Sequence, residues 1–68
     1  MSNAARAVLE GGPDDLPDRI VTITEPDAEV KVPFRGGYEH FEATQRHQDT
    51  AEGSLRVYQW IYRTAIAE

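Results

Sequence analysis

A chain of 68 residues with 12 acidic and 7 basic side chains, net charge -5, has room for one small domain over 1–68 and none for a second. It contains no cysteine, which excludes a disulfide framework, a thiolate zinc site and a cysteine nucleophile. The acidic balance opposes phosphate neutralisation, so nucleic acid is not an expected partner, and no aliphatic run approaches the ~18 residues that span a bilayer.

Residues 5–10 make a weak first strand, with a helical turn as the alternative. Gly11, Gly12, Pro13 and Pro17, interspersed with aspartates, mark residues 11–18 as a loop, because glycine and proline break regular structure and aspartate caps turns. Residues 19–24 (RIVTIT) are dominated by β-branched side chains, which pack well on a pleated surface. Glu25-Pro26-Asp27-Ala28 reads as a tight turn with φ preset at Pro26. Val30, Val32 and Phe34 then alternate with Lys31, Pro33 and Arg35, the period of a half-buried strand. Pro33 cannot donate to a ladder and so places that strand at an edge or a bulge.

Arg35-Gly36-Gly37-Tyr38 reads as a hairpin turn whose paired glycines accept positive φ. Residues 38–46 form a fourth strand with weaker alternation, and residues 47–54 (HQDTAEGS) a final loop. Residues 55–66 are rich in Val, Tyr, Trp and Ile, which favours a strand. Arg56, Gln59 and Arg63 also draw a helical polar stripe, so a C-terminal helix stays open as the alternative. The expected fold is all-β, a small antiparallel meander or open barrel of four to five strands, with α+β as the second reading.

Pairing the last two strands with Arg46 opposite Leu55 sets Phe41 opposite Trp60 and Ala43 opposite Tyr58. Tyr58, Trp60 and Tyr62 then share one face as core or interface, while Leu55, Val57 and Ile61 share the other. Two apolar faces on one thin sheet need cover, from the N-terminal segment, a protein partner or a symmetric homodimer, with barrel closure within one chain as the solution that competes with the dimer. Tyr38, His40 and Glu42 alternate onto one face and are the candidate ligand-binding set. A His-x-Glu pair alone supplies too few ligands for a metal, and His47 falls on the opposite face, so neither a metal nor a cofactor is expected. Ser54 lacks a nucleophile-elbow context and neither glycine pair matches a phosphate loop, so no catalytic set is assembled.

The stretches Leu9-Glu10-Gly11-Gly12-Pro13, Gly36-Gly37-Tyr38-Glu39-His40-Phe41 and Val57-Tyr58-x-Trp60-x-Tyr62-Arg63-Thr64-x-Ile66-Ala67-Glu68 resemble a group of short actinobacterial proteins of unknown function. The resemblance covers nearly the whole chain, implies no activity and no site residues, and suggests a setting beside specialised-metabolite genes. The expectation is a non-catalytic interaction or accessory module, with a ligand-binding protein or small enzyme using Tyr38, His40 and Glu42 as the alternative. Without cysteine and without an apolar run of signal-peptide length in residues 1–10, a cytoplasmic location is expected.

Overall fold

The computed structural model describes residues 5–25 and 28–65. Five strands follow in chain order: β1 (Ala5–Glu10), β2 (Ile20–Ile23), β3 (Val30–Phe34), β4 (Gly37–Thr50) and β5 (Gly53–Ala65). No helix is present among the described residues, and residues 55–65 lie within β5, so the helical alternative falls; Ile66 lies outside the described residues. The β-branched and aromatic content of this segment outweighs its polar stripe, because a strand can cover those side chains on two faces.

The sheet order is β2-β1-β5-β4-β3, and β1 runs parallel to β5 while every other pair is antiparallel. The wholly antiparallel expectation is therefore corrected to a mixed sheet. The reason is parity. Strands that alternate in direction send the first and the fifth the same way, so a meander that curls until β5 meets β1 must join them in parallel. The curled sheet is left open at a seam between β2 and β3.

Register explains the seam. Phe34 opposite Gly37 closes the β3–β4 turn, so Val32 and Val30 hydrogen-bond toward β4 while Lys31 and Pro33 turn their backbone groups outward. Pro33 has no N–H to offer a further strand, which bears out its edge placement and keeps β3 from zipping onto β2.

One cluster draws on all five strands. Ala7, Leu9, Ile23, Phe41 and Tyr58 are buried in it, Leu16 enters it from the 11–18 loop, and Val21, Val30, Val32, Phe34, Ala43 and Trp60 pack around it. Phe41 faces Trp60 and Ala43 faces Tyr58 as the sequence implies. Two irregularities were not legible. A bulge between His40 and Phe41 leaves Ile61 without a direct partner and sets Tyr62 opposite His40. Tyr62 therefore leaves the inner face of Tyr58 and Trp60 for the outer one. A second irregularity between Ala43 and His47 brings Leu55 opposite Gln48 instead of Arg46.

The turns are tighter than the sequence implies. The positive-φ pair after β3 is Arg35 and Gly36, at φ 51° and 73°, one residue earlier than the two glycines suggest. Gly37 already belongs to β4 and is needed for space: a Cβ there would stand 2.6 Å from the Thr64 carbonyl oxygen. The 47–54 loop shrinks to Ala51 and Glu52. Thr50 builds this turn, its hydroxyl donating to the Gly53 carbonyl at 2.8 Å and accepting from the Glu52 N–H at 3.0 Å.

Candidate functional site

Around His40 of β4, the outer face of the sheet gathers Tyr62 and Thr64 from β5 and Glu29 from the residue just before β3. The bulge at Ile61 swings Tyr62 onto the imidazole, stacking the rings at 4.2 Å between centroids with 6° between planes. His40 is 6% exposed. Its Nδ1 meets the Glu29 carboxylate, and its Nε2 lies 2.8 Å from the Thr64 hydroxyl. A carboxylate only accepts, so Nδ1 donates to Glu29, while Nε2 and the Thr64 hydroxyl share a hydrogen bond. The order carboxylate, imidazole, hydroxyl is the one in which a base can activate a hydroxyl. It also gives each nitrogen of a buried ring its partner, as a structural histidine requires.

Tyr38 and Glu42 share the outer face by register, but both are exposed, Tyr38 at 38%, and they stand opposite Thr64 and Gln59 respectively. The three residues do not converge on a cleft. A shallow cleft of about 180 Å³ lies instead at the seam, lined by Thr22, Ile23, Thr24, Glu25, Ala28, Glu29 and Val30. A second hollow sits beside Gln45, His47 and Arg56 on the long β4–β5 ribbon. Among the described residues no cluster of three or more His, Cys, Asp or Glu side chains forms a metal site.

The expected interface residues divide. Val57 and Tyr58 are buried by the chain itself, whereas Leu55, Trp60 and Ile61 are half-covered and Tyr62 is 45% exposed. Val57 pairs with Val8 across the parallel β1–β5 ladder, so part of the second apolar face is covered without a partner.

A buried acid was missed by the sequence reading. Glu39 is 1% exposed on the inner face, where its carboxylate accepts from Trp60 Nε1 at 2.8 Å and from Arg63. Arg63 also donates to the carbonyls of Phe34, at 3.0 Å, and Arg35, at 2.6 Å, tying the end of β5 to the β3–β4 turn. Period-two alternation put Glu39 on the face of Phe41 and Ala43, and an acid on an apolar face was the available signal. Glu29 and Thr64 carried no such signal, because the bulge that assembles their site leaves no mark in composition. On the rim, the Arg46 guanidinium bonds Glu10 and holds its carboxyl below the usual carboxylate range.

Among the described residues no helix is long and apolar enough to cross a membrane. Neither a curated protein nor a solved structure matches the chain. A family model does match, that of the family of unknown function DUF5988, over residues 1–68. With the whole of its length matched, the chain belongs to that family.

Proposed function

We propose that this protein is a non-catalytic interaction module, acting in the cytoplasm as an accessory to a protein partner or to a second copy of itself. One observation carries the reading: the buried groups suited to chemistry are occupied within the fold, while backbone edges of the sheet are left open. Glu39 is held by Arg63 and Trp60, and both nitrogens of His40 are engaged. At the seam the outer edge of β2 has no neighbouring strand, the kind of edge to which a strand can add. An accessory role in specialised metabolism belongs to the same proposal.

Affinity capture from the native host, followed by reconstitution with the purified partner, tests it. The expected result is saturable binding that His40→Ala leaves intact. Failure to recover a specific partner, together with turnover of a metabolite that His40→Ala abolishes, would overturn it. The second reading, a small enzyme or ligand-binding protein, draws its support from the Glu29–His40–Thr64 order; it predicts the opposite response to His40→Ala.

A further inference from the structure

Four stretches of strand edge lie outside the ladders among the described residues. The overhang of β4 beyond β3, residues 42–50, bears the irregularity between Ala43 and His47 and the charges of Glu42, Arg46 and Asp49. The stretch of β5 beyond its pairing with β1 bears the bulge at Ile61 and the charge of Arg63. The β3 edge bears Lys31 and Pro33. Bulges, charges and prolines are the devices that keep edges from pairing. The outer edge of β2 has none of them: Ile20, Val21, Thr22 and Ile23 carry no charge, no proline and no bulge, and the cleft runs from Thr22 into the bend at Thr24.

The register says which backbone groups are free. Leu9 N–H donates to the Arg19 carbonyl at 2.7 Å, and β1 pairs antiparallel with β2 through Ala7 opposite Val21 and Ala5 opposite Ile23. Bonded pairs recur at every second residue, so Arg19, Val21 and Ile23 point at β1 while Ile20 and Thr22, the other residues of β2, point outward.

Resting on the interaction-module reading, we infer that the partner at this edge is a second copy of the chain, paired antiparallel β2 to β2 about a two-fold axis through Thr22. A two-fold perpendicular to a sheet preserves its faces, so only residues sharing a face can meet. Centring on Thr22 sets Thr22 opposite Thr22 of the second copy, Ile20 opposite its Thr24, and Val21 opposite its Ile23. The Thr22 pair points outward from both strands and is hydrogen-bonded in this register, while Thr24 stands one residue past the end of β2. The third joins two aliphatic side chains on the inner face and continues the core. Thr22 itself is exposed on the outer face, where a threonine pair is favourable across strands. With only four residues in β2, the dimer is a concentration-dependent one.

Because Thr22 faces its own copy, a charge placed there faces the same charge. Sedimentation equilibrium is run on the wild type, on Thr22→Lys, on Thr22→Glu and on an equimolar mixture of the two variants, with circular dichroism confirming the fold of each. The wild type is expected to approach twice 7.6 kDa as concentration rises. Each variant alone should associate at least roughly ten-fold more weakly, and the mixture should recover the wild-type behaviour. A wild type that stays at 7.6 kDa to high micromolar concentration overturns the self-pairing, yet leaves the heterologous-partner test of the module reading standing. Variants that dimerise like the wild type overturn the choice of β2, and a mixture that does not recover overturns the Thr22 register. Loss of fold in either variant contradicts the exposed position from which the inference starts.

Discussion

Glu39 and His40 are neighbours in sequence and face opposite sides of the sheet, and each fixes one side. On the inner side, truncating Glu39 leaves Trp60 Nε1 unpaired and Arg63 without its carboxylate. Breaking a buried pair costs about 3–5 kcal/mol, and Arg63 is partly open to water, so Glu39→Ala should lose about 2–4 kcal/mol. Urea unfolding followed by the fluorescence of Trp60 measures this directly, and a loss below about 1 kcal/mol would contradict the network. On the outer side, Thr64→Val keeps the shape but removes the hydroxyl bonded to Nε2. Its expected cost is about 1–3 kcal/mol, recovered by Thr64→Ser. Equal stability of the valine and serine variants would show that the hydroxyl contributes nothing. At the rim, Glu10 has its carboxyl depressed by Arg46. A depressed carboxyl contributes stability above its unfolded value and loses it as pH falls, so the effect fades below 4.5. Thermal midpoints across that range should fall less steeply in Glu10→Gln than in the wild type, by the small margin an exposed pair allows.

The β3–β4 hairpin shows what an element can and cannot declare in advance. Val30, Val32 and Phe34 announced the strand by alternation, and Pro33 announced the edge; both followed from one-residue chemistry. The glycine pair announced a turn but misplaced it by one position, because Arg35 takes positive φ and frees Gly37 for close approach to β5. The two glycines are therefore separable by substitution. Gly36→Asn keeps a residue type that tolerates positive φ, with open space around its Cβ, and should cost less than about 1 kcal/mol. Gly37→Ala drives a methyl against the Thr64 carbonyl and should cost about 1–3 kcal/mol or more. Thermal denaturation of both variants checks the order, and a reversed order would return the turn to the two glycines. The β4–β5 ribbon hid its length for a related reason. Most side chains from Gln45 to Ser54 are exposed, so no alternation marks the strand and only the Thr50 hydroxyl marks the turn. Likewise, the bulge at Ile61 reverses the face of every residue after it, which is why only His40 of its site was legible: Tyr38 and Glu42 share its face but not its contacts, and Tyr62, Thr64 and Glu29 were not foreseen there.

At the scale of the whole molecule, the decisive feature is an odd number of alternating strands curled around one core. That arithmetic forces the parallel β1–β5 pair and leaves the seam to fall where Pro33 blocks closure. The strand count was readable from turn signals, but the position of the seam depends on long-range pairing that no local pattern encodes. The central claim is that the outer edge of β2 is open in the single chain and is the place where another chain adds. Amide hydrogen exchange followed by NMR at low and high protein concentration tests it most directly. Val21 and Ile23 amides are expected to be protected throughout, with Ile20 and Thr22 exchanging freely when dilute and gaining protection as concentration rises. Protection of Thr22 in the dilute protein, or no gain at any concentration, would contradict it.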